Sequence, residues 1–127
     1  MYDGEQEKNG FREEQSMTIV HTIQGSRILV AIHGDLDLPT AAPLREALDE
    51  LLDRYRDKGL VLDLSEVNFI DSSGLGVILG RYKRMTGRPL SLIGVRPNVR
   101  AVLELAGITA IIPVSDAIRQ TAKDQHA

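Results

Sequence analysis

Cysteine and tryptophan are absent from the 127 residues, and only five side chains, three Tyr and two Phe, are aromatic. Without cysteine there is no disulfide and no thiolate metal site. The three histidines, His21, His33 and His126, lie far apart and show no ligand-pair spacing, so no metal or cofactor is expected on their account. The scarcity of aromatics removes the stacking platforms that single-stranded nucleic acid needs, and leaves a core to be built from Val, Ile, Leu and Ala. No apolar run approaches the roughly 20 residues that span a bilayer. The first residues are too charged for a signal peptide. Neither membrane nor nucleic acid is expected as a partner, and the expected compartment is the cytoplasm.

The chain is otherwise ordinary, 43% apolar and 26% charged, with a net charge of −3. That composition and length suit one soluble globular domain. The charge is unevenly placed. Residues 1–71 carry 15 acidic and 7 basic side chains, whereas residues 72–103 carry 6 basic and no acidic ones. A basic segment can mark nucleic-acid binding. Here Arg81, Lys83, Arg84 and Arg88 fall near the end of an expected helix, where cations offset the negative end of the dipole.

Residues 1–16 are polar without an apolar period, and read as a flexible N-terminal extension preceding a domain over 17–127. Thr18–Gln24 and Arg27–Gly34 are β-rich runs separated by Gly25-Ser26, the signature of an antiparallel hairpin. A helix opens at Pro39 or Thr40, with Leu44, Leu48, Leu51 and Leu52 on one side and Arg45, Glu46, Asp49, Glu50 and Asp53 on the other. Leu60–Leu64 is a short apolar strand of the kind buried on both faces of a parallel sheet. Asp71-Ser72-Ser73-Gly74 then starts a second helix, with Asp or Ser as its N-cap and Leu75, Ile78, Leu79 and Tyr82 as its buried stripe. Pro89–Gly94 reads as a strand and Pro97–Leu105 as a helix closed by Gly107. Thr109–Ile112 reads as a last strand and Ser115–Lys123 as a terminal helix. Alternating strands and helices predict an α/β fold: a mixed, mostly parallel sheet with an N-terminal antiparallel hairpin and about four helices.

Enzyme signatures fail on this pattern. The serines sit on a strand-to-helix turn as a nucleophile elbow would, but Gly-x-Ser-x-Gly is missing and the only later histidine is His126. Gly74, Gly76 and Gly80 miss the dinucleotide fingerprint by one residue, with no ribose-binding acid at the expected offset, and there is no Walker lysine. Glycines at this spacing instead permit close packing, or leave a flat strip of helix running from Ser72 through Gly76 to Gly80. No catalytic residue is expected. Ser72 itself admits two readings. One is a stabilising N-cap; the other is a phosphoacceptor at a helix N-terminus, where free N–H groups tolerate the added anion.

The segment Phe69-Ile70-Asp71-Ser72-Ser73-Gly74-Leu75-Gly76-Val77-Ile78-Leu79-Gly80-Arg81-Tyr82-Lys83 resembles the signature of the STAS-domain anti-sigma factor antagonists. Gly34-Asp35-Leu36-Asp37 is similar to the family's second landmark, and the order of elements agrees from about Thr18 to the C-terminal helix. The resemblance implies the STAS fold and a partner switch. An anti-sigma factor of the GHKL type would act as a serine kinase on Ser72, and a PP2C-like serine phosphatase would restore the hydroxyl. The unphosphorylated chain would hold the anti-sigma factor so that the sigma factor is released. By position the resemblance makes Ser72 the phosphorylation site and puts Asp37, Asp71, Ser73, Gly74 and Gly76 at the partner-binding surface. Gly80-Arg81-Tyr82-Lys83 leans towards sporulation control over the general stress response. A non-switching STAS scaffold and a transport accessory module are the other readings.

Overall fold

The computed structural model describes residues 9–14 and 16–116. Six strands, β1 (Asn9–Glu14), β2 (Met17–Gln24), β3 (Arg27–His33), β4 (Gly59–Glu66), β5 (Leu90–Ile93) and β6 (Val114–Ser115), lie side by side in chain order. The pairings β1–β2 and β2–β3 are antiparallel, and the remaining three are parallel. Three α-helices occur among the described residues: α1 (Leu38–Arg54), α2 (Ser72–Arg84) and α3 (Pro97–Leu105). Each parallel step joins neighbouring strands through one helix. Right-handed crossovers then place all three helices on the same side of the sheet.

The core lies between that side and the helices. Ile28, Val30 and Ile32 of β3 alternate inward, as do Leu60, Leu62 and Leu64 of β4. They meet Leu44, Leu48, Leu51 and Leu52 of α1, the stripe read from the helical spacing. The expected hairpin forms, with Gly25 at φ 61° in the left-handed region that a glycine adopts at little cost.

Four expectations change. Within residues 1–16, expected as a flexible extension, Asn9–Glu14 form β1 at the sheet edge. Edge pairing uses backbone groups and needs no apolar period in the added strand. The boundary expected at residue 17 therefore falls between β1 and β2, and residues 1–8 and 15 lie outside the described set. Thr109–Ile112 is not a strand. After Gly107 (φ 79°) the chain tightens into a 3-10 turn, Ile108–Ala110, buries Ile108 and Ile112, and pairs with β5 only from Val114 onward, at Val114 and Ser115. Pro113 opens that last strand by offering its carbonyl to the Leu92 N–H at 2.9 Å. Of the helix expected over Ser115–Lys123, Ser115 belongs to β6 and residues 117–123 lie outside the described set. Finally, α2 buries Gly74, Val77, Ile78 and Arg81, a stripe rotated from the expected one; Leu75 and Leu79 are half-buried and Tyr82 is exposed.

The uneven charge of the sequence has a tertiary use. Arg84 donates to Asp49 Oδ1 (3.0 Å) and Asp53 Oδ1 (2.7 Å), joining the end of α2 to the acidic side of α1. The Arg84 hydrogen bond holds the Asp53 carboxyl below the usual carboxylate range. Arg88 serves α1 and not α2: it donates to the carbonyls of Tyr55 (2.6 Å) and Lys58 (2.9 Å), just past the last turn of α1. No helix among the described residues is long and apolar enough to cross a membrane.

Candidate functional site

The starts of α1 and α2 are held together by backbone. Leu36 and Ile70 form an isolated parallel bridge, in which the Leu36 N–H donates to Phe69 O (2.9 Å) and the Asp71 N–H donates to Leu36 O (3.1 Å). One residue beyond this bridge on each chain segment stands a helix cap, Asp37 for α1 and Asp71 for α2. Two acids 34 positions apart in sequence thus share one end of the sheet.

Each cap is built from its own first turn. The Asp37 N–H donates to Thr40 Oγ1 (3.0 Å), and the Thr40 hydroxyl in turn reaches the Asp35 carbonyl (2.8 Å). Asp71 Oδ1 accepts from the Ser73 N–H (2.8 Å) and the Gly74 N–H (3.3 Å), neutralising two of the four unpaired donors of a helix start. Asp71, and not Ser72, is therefore the N-cap. Ser72 occupies the first helical position, exposed, and its hydroxyl has no hydrogen-bond partner among the described residues. The stabilising reading of that serine is removed by its neighbour.

Gly74 explains how α2 can begin so close to the bridge. A Cβ there would lie 2.6 Å from Leu36 O, 2.7 Å from Leu36 Cβ and 2.9 Å from Ile70 Cγ1, so no side chain fits. Gly76 and Gly80 differ in kind: a Cβ at either would meet nothing within 4 Å. They serve no internal packing, and each weakens a helix relative to alanine by about 1 kcal/mol. The result is a bare strip leading away from Ser72 along the accessible surface of α2, with Gly76 at the groove it shares with α1.

The sequence-predicted residues Asp37, Asp71, Ser72, Ser73, Gly74 and Gly76 are therefore brought into one region, with Gly74 buried beneath it. Sequence reasoning missed the apolar rim. Leu38 is 73% exposed and shares a groove with Ser72, while Phe69, two residues before Asp71, is 49% exposed. The only signal for Leu38 was its place ahead of Pro39 at a helix start. Exposed large apolar groups beside polar caps are characteristic of surfaces that meet other proteins.

This local chemistry yields a direct stability test. Asp71→Ala removes the cap and costs about 1 kcal/mol, whereas Ser72→Ala changes stability by less than about 0.5 kcal/mol. Urea unfolding midpoints of the two variants measure the difference, and the reverse ranking would contradict the cap assignment.

A one-sided α/β domain with a capped, exposed serine and an apolar rim defines a small protein-binding module. The comparisons with known proteins agree with that class. The STAS domain model matches residues 18–121. The anti-sigma F factor antagonist of Paenibacillus polymyxa is 38% identical over 91 residues, covering 70% of this chain and 78% of its own length. The anti-sigma-B factor antagonist of Listeria monocytogenes is 35% identical over 92 residues, covering 68% and 77%. Among solved structures, the Bacillus cell fate determinant SpoIIAA in its phosphorylated form superposes with a TM-score of 0.63 at 20% identity, covering 93% of this chain and all of that one, a likeness of fold. The chain belongs to the STAS-domain family of anti-sigma factor antagonists.

Proposed function

We propose that the chain binds an anti-sigma factor through the surface around Ser72, and that phosphorylation of Ser72 ends the complex. The observation that carries this reading is the Ser72 hydroxyl itself, exposed at the first position of α2 and unused by the fold because Asp71 does the capping. A kinase can reach such a hydroxyl without unfolding anything, and a helix start accommodates the phosphate that results. The partner is a GHKL-type anti-sigma factor serine kinase; a PP2C-like serine phosphatase restores the hydroxyl. Unphosphorylated, the chain occupies the anti-sigma factor and the sigma factor goes free. It acts as a substrate and a binding module, not as an enzyme.

Asp37 and Asp71 supply negative charge to the docking surface, Ser73 and Gly76 keep it low, and Leu38 and Phe69 add apolar contact. Control of a sporulation sigma factor is favoured over general stress control by the higher identity to the anti-sigma F antagonist, 38% against 35%.

The test is a mapping experiment. The protein is incubated with ATP and an anti-sigma F kinase, and the added phosphate is located by mass spectrometry. One phosphate on Ser72, removed by a PP2C-like phosphatase, is expected. Modification elsewhere, or none with any anti-sigma kinase, overturns the switch and favours a non-switching scaffold.

A further inference from the structure

The seam between α1 and α2 opens beside Ser72 into a groove of about 320 Å³, lined among others by Leu38, Arg45, Ser72, Gly76 and Arg81. Two guanidinium groups line it and no carboxylate does. Arg81 is only 8% exposed, yet neither its Nε nor its Nη1 makes a hydrogen bond among the described residues. Asp49 Oδ1 stands 3.0 Å from that Nε as an ion pair, off the line of its N–H, and the same oxygen already accepts from Arg84. Burial pulls the Arg81 guanidinium below its usual range, with Asp49 opposing and Arg84 and Arg45 adding repulsion. Arg45 is exposed and has no ion pair or hydrogen bond among the described residues.

Buried donors without acceptors are rare in folded proteins, and two like charges on one groove leave an unfilled place for an anion. The direction of that place follows from helix geometry. Both helices start at the Leu36–Ile70 bridge, and helical side chains lean towards the N-terminus of their own helix. Arg45 and Arg81 therefore both lean towards the Ser72 end of the seam.

We propose that the groove is an intramolecular oxyanion site: the phosphoryl group on Ser72 turns into it and is held by Arg45, with the buried positive charge of Arg81 behind. This rests on Ser72 being the residue that carries phosphate. The groups that face the phosphate are the acidic caps Asp37 and Asp71, which repel it, and Arg45 and Arg81, which attract it, Arg81 being partly offset by Asp49 at 3.0 Å. Asp71 spends its charge on the Ser73 and Gly74 N–H groups, which leaves the arginines uppermost. Phosphorylation then fills the groove and cancels its positive charge, so a partner meets a different shape as well as a different sign.

The experiment uses the full chain with phosphoserine genetically encoded at position 72, so that neither kinase nor partner is needed. A ³¹P NMR titration reads the second phosphate ionisation, which lies near 6 for a free phosphoserine. Arg45→Gln, at an exposed site that leaves the fold intact, is expected to raise that ionisation by about one unit relative to the parent, and Arg45→Lys to restore most of it. Equal titrations for parent and Arg45→Gln would overturn the proposal. A second arm adds inorganic phosphate to the unphosphorylated protein while the Arg45 side-chain N–H is followed. No saturation in the low millimolar range is expected; tight saturable binding would assign the groove to an outside anion and overturn its service to Ser72. Because the phosphoserine is encoded, a chain that no kinase modifies defeats the partner switch while leaving this measurement readable.

Discussion

Phosphorylation of Ser72 is expected to weaken binding to the anti-sigma factor at least about 100-fold relative to the unphosphorylated form, while Ser72→Ala is expected to keep the tight affinity in the presence of kinase and ATP. The magnitude follows from desolvation. A dianion of roughly −1.5 to −2 charge joins two carboxylate caps, Asp37 and Asp71, at one end of the sheet. Closing a partner over that cluster removes it from water, and a charge that Arg45 and Arg81 offset only in part still costs about 3 kcal/mol or more once buried. At 1.4 kcal/mol per tenfold, that is about two orders of magnitude or more in Kd. Ser72→Ala is a clean control because the hydroxyl makes no hydrogen bond among the described residues, so the variant changes acceptor chemistry and leaves the Asp71 cap in place. Ser72→Asp is a poorer mimic, having less charge than phosphate and fewer oxygens. Isothermal titration of the three forms against the anti-sigma factor decides the matter. Equal affinity of the phosphorylated and unphosphorylated proteins would eliminate the switch.

Gly74→Ala destabilises the domain by about 3 kcal/mol, whereas Gly76→Ala and Gly80→Ala each stabilise it by about 0.5–1 kcal/mol. All three substitutions improve intrinsic helix propensity, so the opposite signs must come from packing. At Gly74 the added carbon meets a backbone carbonyl, Leu36 O at 2.6 Å, which already accepts the Asp71 N–H and cannot move without opening the Leu36–Ile70 bridge. At Gly76 and Gly80 it meets open space. Urea unfolding of the three variants gives the ranking, and a Gly74→Ala variant as stable as the parent would refute the close approach. The same set separates folding from docking. Gly76→Ala places a methyl group on the bare strip beside Ser72, and is expected to weaken partner binding about tenfold while the domain itself becomes more stable. Gly80→Ala lies a further turn away, and its loss of binding is expected to be smaller.

Much of this protein is written locally. The Gly25-Ser26 turn, the leucine spacing of α1 and Pro97 at the opening of α3 are short-range signals. Each produced the element expected, because hydrophobic period, turn residues and caps act within a few residues of themselves. The serine-glycine turn was legible for the same reason as a helix start, and only the resemblance of the surrounding segment made its serine a phosphoacceptor.

The tertiary structure decided which of those residues does what. Asp71 rather than Ser72 is the cap, Gly74 rather than Gly76 is the packing glycine, and the buried side of α2 runs through Gly74, Val77 and Arg81. The last two depend on the Leu36–Ile70 bridge, a contact between segments 34 residues apart that no periodicity announces. The strand Asn9–Glu14 and the late strand at Val114 were likewise invisible, being fixed by backbone pairing with β2 and β5 and not by side-chain pattern. Sequence thus determined the order of elements and the motif at Ser72, through local forces. Only long-range packing joined the two acidic caps and set Arg45 and Arg81 along the groove beside Ser72.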